Sequence, residues 1–321
     1  MNEFEIIKRY FTQQRIHRRD VVLGIGDDGA ITKYSKQSEL ILTTDTLVSG
    51  IHFPKHTSPE DLGYKALVVN LSDLAAMGAT PAWFMLSLTM SRNTTSTWLQ
   101  SFAKGLFQIA KSYEVQLIGG NLSRGPLSIT VQALGFVPKG QALLRSYASH
   151  GDRIYVTGTL GDAALGLRYL MKKIKLKKNT RAYALSRFNR PQPKIEIGLL
   201  LRRYAHAVID ISDGLLADLG HLLKQSRVGA QIDIDRIPLS RFLKRALPAS
   251  EAFMLALTGG EDYELCFTVP EKHCRSLEKI MKKHKYRITP IGIITKTQHL
   301  HITDSSGNKY HVGKLGYQHF A

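Results

Sequence analysis

The 321-residue sequence predicts a two-domain α/β (α+β) protein, on three observations. Apolar segments of strand length alternate with amphipathic segments of helix length along the whole chain. The alternation halts at Pro138-Lys139-Gly140 and then restarts. The length suits about two domains of roughly 150 residues each. The boundary is placed near residues 138 to 150, giving domains of 1–140 and 141–321.

In the first domain, Phe4, Ile7 and Phe11 recur at helical spacing over Glu3 to Gln14. Leu40 to Thr44 reads as a short buried strand that delivers Thr43, Thr44 and Asp45 at its C-terminal end. Ser58-Pro59-Glu60-Asp61 starts a helix, with Ser58 as N-cap, Pro59 at the first helical position and acids in the first turn. That helix runs to about Met77, where Gly78 and Pro81 stop it. Trp83 to Met90 is strand-like, and Thr97 to Tyr113 is a further amphipathic helix. Val115 to Ile118 and Leu127 to Val137 are strands flanking a loop over Gly119 to Gly125.

In the second domain, Asp152 to Thr157 is a strand, and Gly161-Asp162 opens a helix. Ala207 to Ile211 is an apolar strand entering Ser212-Asp213-Gly214, and a helix follows from Leu215 to about Gln225. Later strands are expected at Gln231 to Ile234, Tyr263 to Val269, Arg287 to Ile294 and His299 to Thr303.

Apolar content of 43% and charged content of 22% are those of an ordinary globular chain, which argues against extensive disorder. The net charge of +18 raises the question of nucleic-acid binding. Its two densest runs, Lys172 to Lys178 and Lys279 to Arg287, sit at ends of amphipathic helices without interleaved aromatics for base stacking. They read as solvated helix faces, and no nucleic-acid partner is expected. Met1-Asn2-Glu3-Phe4-Glu5 has no signal-peptide pattern, and no apolar run approaches the ~18 residues that span a bilayer. The only cysteines, Cys266 and Cys274, form no framework of spaced pairs. The expectation is a cytoplasmic protein with no membrane partner.

Against this basic background the acids gather in islands beside glycine, serine or threonine. Carboxylates spread this way suit hard divalent cations, whose oxygen ligands come from several loops. Gly24-Ile25-Gly26-Asp27-Asp28-Gly29 offers adjacent carboxylates to different ions, although Gly-Asp-Asp-Gly is also ordinary turn chemistry. Thr43-Thr44-Asp45 offers hydroxyl and carboxylate oxygens to one ion, or an Asx-type turn. Asp73 lies in a helix with apolar flanks, Leu67-Val68-Val69 and Leu74-Ala75-Ala76. It is either drawn inward, where it needs a partner or a metal, or exposed on a polar stripe with Asn70. Asp210 ends an apolar strand and carries the same argument. Ser212 and Asp213 precede a helix whose N-terminus favours anions, and Asp213 serves equally well as a plain N-cap. Gly259-Gly260-Glu261-Asp262-Tyr263-Glu264 either holds part of a substrate or is a helix C-cap and turn. There is no Gly-x-x-x-x-Gly-Lys-Ser/Thr, no protein-kinase set and no Gly-x-Ser-x-Gly elbow. Nucleotide chemistry here would use metal and carboxylates rather than a backbone phosphate nest.

Taken in order, these motifs resemble the thiamine-monophosphate kinases of the aminoimidazole-ribonucleotide synthetase superfamily. The likeness runs from Gly24-Ile25-Gly26-Asp27-Asp28 through Thr43 to Val48, Tyr64 to Leu67, Asn70 to Ala79 and Gly259 to Glu264, and ends at Gly316-Tyr317-Gln318-His319-Phe320. It implies transfer of the γ-phosphoryl of ATP to thiamine monophosphate, with several magnesium ions as cofactors. By that likeness Asp28, Thr43, Thr44, Asp45, Asp73, Asp210 and Asp213 are magnesium ligands, with Asn121 at a further ligand position. Gly120, Asn121, Arg145 and Ser212 are ATP contacts, and Arg145 adds electrostatic stabilisation without any general base. His52, Glu261 and Tyr317 are contacts to thiamine monophosphate. The resemblance also implies a homodimer, in which the N-terminal mixed sheet pairs into a barrel-like sheet beside a C-terminal α/β sandwich. The expected N-terminal domain binds ATP and magnesium and dimerises, and the C-terminal domain completes the site.

One departure stands out. Gly119-Gly120-Asn121 replaces the usual Gly-Gly-Asp, so one ligand oxygen carries no charge. Leu122-Ser123 lacks the usual threonine pair, while Arg124 and Gly125 are kept. Tyr317 stands where the family often has tryptophan, and still provides a ring to stack on a flat cation. Among rivals, a purine-pathway synthetase would reuse the same cage, and a selenophosphate synthetase needs a reactive N-terminal-region cysteine that this chain lacks. A basic RNA-binding protein would leave the acidic islands unexplained.

Overall fold

The computed structural model describes residues 2–14 and 16–310, together with Gly313 and Gly316. The chain divides into two compact units, Met1–Leu74 with Ala79–Ala142, and Ala75–Gly78 with Leu143–Ala321.

The first unit begins with α1 (Glu3–Ile6), capped reciprocally by Asn2 and Glu5, and continues as a π-helical turn over Ile7–Phe11. The helix expected to reach Gln14 therefore ends three residues early, in a wider turn that buries Tyr10 and Phe11. A small antiparallel pair follows, β1 (Val21–Leu23) and β2 (Ile31–Thr32). Then come β3 (Ser38–Val48), α2 (Pro59–Ala76), β4 (Thr80–Met90), α3 (Ser96–Ser112), β5 (Gln116–Arg124) and β6 (Ser128–Pro138). The sheet order is β3-β6-β4-β5, with β4 and β5 parallel and the other pairs antiparallel. In α3, the Thr95 hydroxyl takes the Trp98 amide, and Leu99, Phe102, Leu106 and Ile109 are buried on one side. Each such side chain contributes about 1.5–3 kcal/mol of burial.

Two expectations are corrected here. The strand expected to stop at Thr44 runs to Val48, because every residue of β3 pairs with β6, and so Thr43, Thr44 and Asp45 lie inside it. The loop expected at Gly119 to Gly125 is strand as far as Arg124, zipped in register against Leu86 to Met90. The pairing slips once, and Ile118 becomes the extra residue. Gly120 then sits at φ +152° against the Leu86 carbonyl, where any Cβ would strike the backbone.

The second unit contains β7 (Arg153–Thr157), α4 (Asp162–Leu170), α5 (Lys178–Asn189), α6 (Ile195–Leu201), β8 (Ala207–Ile211), α7 (Leu215–Ser226), β9 (Gly229–Asp233), α8 (Arg241–Ala246), α9 (Ala249–Thr258), β10 (Glu264–Val269), α10 (Glu271–Lys283), β11 (Ile288–Thr295) and β12 (Leu300–Thr303). Its sheet order is β12-β9-β11-β7-β10-β8, antiparallel except for β12 with β9. All five residues of β8 are buried, as are all six of β10, because these neighbours run through the core. Cys266 and Cys274 are free and buried. Among the described residues, no helix is long and apolar enough to cross a membrane.

Candidate functional site

In the first unit, the pleat of the sheet sorts the predicted residues by face. The Thr43 hydroxyl donates a short hydrogen bond to Asp73 Oδ2 on α2. Thr43 and Asp45 are two apart on β3, so both lie on the side toward α2. Asp73 itself is half-buried, and its helix neighbour Asn70 is fully buried. The alternative of an exposed stripe shared by Asp73 and Asn70 is therefore excluded, because α2 lies in the core on nearly all sides.

Thr44 takes the opposite face. The registers place Thr44 beside Gln132 and Met85, and Thr46 beside Thr130, Ser87 and Asn121. Of this row Thr44, Met85, Ser87, Asn121, Thr130 and Gln132 line a groove of about 810 Å³, walled by Phe4, Ile7 and Phe11 and by Gly26 to Ala30. Asp28, Gly120 and Asn121 line the same groove. The Asn121 amide nitrogen donates to Ser123 Oγ at 3.0 Å, which holds the amide plane on this face. Adjacent Thr44 and Asp45 thus point to opposite faces of an edge strand.

His52 lies in the turn after β3, and its Nδ1 accepts the Val48 amide at 3.0 Å.

In the second unit, Asp210 is 4% exposed, near the end of β8 and opposite Leu265. Ser212, Asp213 and Gly214 lead into α7, and their three amides donate to Asp218 Oδ2 at 3.0, 3.0 and 3.1 Å. Asp218 thus gathers the three amides that lead into α7, one of them the N-cap's. Burial pushes the Asp218 carboxyl up to about 7, and the nearby Asp213 charge adds to this, against the pull of the three amides. Asp218 escaped the sequence reading; an acid in the first turn of a helix that follows glycine is the signal that marks it. Asp213 is not the cap, since Gly214 occupies that position without a side-chain bond.

The Gly259 to Glu264 segment joins α9 to β10 and is tied to the same strand end. The Glu261 amide donates to Ser212 O at 2.7 Å, and the Tyr263 amide to Ile211 O at 2.8 Å. Arg145 is exposed, and its carbonyl accepts from Ser226 Oγ. Tyr317 lies outside the described residues.

Among the described residues no cluster of three or more His, Cys, Asp or Glu is preassembled. Magnesium does not require one, since it is usually held by one or two carboxylates with water and substrate phosphates completing its octahedron. The donors present are all hard oxygens, so the chemistry of the set fits that ion.

Residues 26–137 match the family model of the AIR synthase related protein N-terminal domain, and residues 149–305 match that of the C-terminal domain. The chain is 47% identical over 320 residues to the thiamine-monophosphate kinase of Escherichia coli (strain K12), covering 99% of this chain and 98% of that one. A crystal structure of thiamine-monophosphate kinase from Stenotrophomonas maltophilia K279a is 44% identical, with a TM-score of 0.84, over 89% of this chain and 92% of the other. AaThiL complexed with AMPPCP and TMP is 33% identical, with a TM-score of 0.79, over 92% of each chain.

Proposed function

The chain belongs to the thiamine-monophosphate kinases of the AIR synthase related family, and from this we infer that it transfers the γ-phosphoryl of ATP to thiamine monophosphate, forming thiamine diphosphate and ADP. The observation that carries the reading is the full-length likeness to a protein solved with both AMPPCP, an ATP analogue, and TMP.

The roles of individual residues follow from chemistry. The attacking group is a phosphate oxygen, ionised at neutral pH, so no strong base is needed. What the protein must do is bring two anions together in line and exclude competing geometries. Asp45 and Asp73, with Thr43, would hold magnesium on the α2 side of the edge strand, and Asp28, Thr44 and Asn121 would do so on the groove side. Asp210 and Asp213 supply further ligand oxygens from the second unit. When bound, magnesium offsets the charge of the polyphosphate and of the transferring group. Gly120 lets the polyphosphate approach the backbone of β5, Ser212 is a further ATP contact, and Arg145 adds a permanent positive charge. His52, Glu261 and Tyr317 are assigned to thiamine monophosphate. A homodimer built on the first unit fits the exposed Leu42 on the edge strand β3. The buried free cysteines suit a reducing cytoplasm.

With ATP and magnesium, thiamine monophosphate is expected to yield thiamine diphosphate, whereas thiamine yields no product and chelator stops turnover. Direct transfer leaves no label on the protein from γ-labelled ATP. A labelled protein that is chased into product overturns direct transfer, and product formed from thiamine overturns the acceptor assignment. Sedimentation of the same preparation tests the dimer, for which the mass is twice 35.9 kDa.

Asn121 gives a second prediction. Asn121→Asp adds a charge at the groove, and the magnesium concentration for half-maximal rate is expected to fall about tenfold, with kcat changed less. An unchanged magnesium dependence overturns the role given to Asn121.

A further inference from the structure

The loop that carries Glu261 is held in an unusual conformation from below. Glu261 and Tyr263 both have positive φ, +73° and +49°, which side chains other than glycine seldom adopt. The residues between and after them point inward: Asp262 and Glu264 are each 1% exposed. Asp262 accepts the amides of Gly161 and Ala163 at 2.7 and 3.3 Å, and so caps α4. Glu264 is engaged more heavily. Its Oε1 meets Arg187 Nη2 at 2.8 Å and Lys194 Nζ at 3.2 Å, and its Oε2 accepts Thr157 Oγ1 at 2.5 Å. Arg187 also reaches the Thr159 carbonyl at 3.4 Å. Gly158, at φ +59°, wraps the carboxylate so closely that a Cβ there would collide with it.

A carboxylate buried among two cations and a hydroxyl has one low-energy place to be. Burial alone would weaken the Arg187 charge, yet Glu264 and then Asp262 hold its pKa above the ordinary value. We propose that the Arg187–Glu264–Lys194 cluster is the positioning device of the acceptor loop, anchoring the start of β10 so that Glu261 is presented at its strained angle. This rests on the assignment of Glu261 to thiamine monophosphate. The loop's two backbone ties to the end of β8, from the Glu261 amide to Ser212 O and from the Tyr263 amide to Ile211 O, do not govern the ATP side, because Asp218 clamps Ser212 to Gly214 independently.

Steady-state kinetics of the full chain test the proposal. Glu264→Gln keeps the shape and removes the charge that pairs with both cations, and KM for thiamine monophosphate is expected to rise about tenfold or more while KM for ATP stays within about threefold. Arg187→Lys keeps the charge but shifts the donor away from the point where Nη2 meets both Glu264 and the Thr159 carbonyl, so a smaller rise in the same KM is expected, on a protein that still melts cooperatively. Should Glu264→Gln fail to fold, Arg187→Lys carries the test. A lowered melting temperature or kcat with KM for thiamine monophosphate unchanged overturns the proposal, since a merely structural role acts on the amount of folded enzyme. Glu261→Gln run in parallel separates the two readings. If it leaves that KM unchanged, the acceptor assignment fails and the proposal with it. If it raises that KM while the cluster variants do not, the assignment stands and the positioning role is wrong.

Discussion

Asp73→Asn is expected to lower kcat by about 10²–10³-fold while the melting temperature moves by only a few degrees. The amide has nearly the volume of the carboxylate, and its oxygen still accepts the Thr43 hydroxyl that Asp73 accepts now. The packing of α2 against β3 is therefore kept, and the charge is what disappears. That charge is the acidic group α2 directs to the face shared with Thr43 and Asp45, so on the proposed assignment its loss would fall on magnesium and on the phosphoryl group the ion would steady. The loss should be partly relieved by raising magnesium, which a folding defect would not be. A variant whose kcat and magnesium requirement both stay within about threefold of the parent's would remove Asp73 from the proposed ligands.

The second large effect is on stability and its pH dependence. Asp262 is buried with its two oxygens on the amides that open α4. Burial pushes its carboxyl up to about 8; the Gly161 amide and the Arg187 charge pull the other way, and Asp162 adds to the rise. The native state then holds this proton more tightly than the unfolded chain, whose carboxyl titrates near 3.8. Between those two values the native state binds more protons, so stability must fall as pH rises, by up to about 1.4 kcal/mol per unit. The contribution is fully present below the unfolded value and is lost as pH passes the folded one.

Asp262→Asn removes the ionisable group and keeps an acceptor oxygen. The decline in melting temperature between pH 6 and pH 9 is expected to become shallower in the variant, with little difference at pH 6. Asp262→Ala also strands the amides of Gly161 and Ala163, and should cost about 2–4 kcal/mol at any pH. An Asp262→Asn protein with the same or a steeper pH slope would show that Asp262 is ionised in the native state.

Much of the architecture can be read along the chain, because local patterns carried it. The five residues of β8 and the Leu215 start of α7 appear where an apolar run meets Ser-Asp-Gly. The Pro59 start of α2 follows from proline's tolerated place at a helix's first position. The family, too, is written in short islands whose residue types and order survive without any knowledge of the fold. Where the reading failed, non-local pairing decided the outcome. β5 continues through Gly119 and Gly120, against their turn-forming preference, because β4 offers a complete edge and Gly120 alone fits against Leu86. The Lys178–Asn189 helix has weak amphipathic patterning, since one of its main inward contacts is a charge, Arg187 on Glu264.

By itself, then, the sequence determined the kinase family and pointed to two domains and a set of candidate hard-oxygen ligands, since each depends on residue type and nearby spacing. Tertiary structure decided which face each ligand takes. It also decided that Asp218 gathers the amides of Ser212 to Gly214 and that Glu264 is paired with Arg187 while Glu261, three residues earlier, takes a positive φ. The faces depend on strand register, and a one-residue change of register would exchange them, while Glu264 draws on partners 77 and 107 residues away.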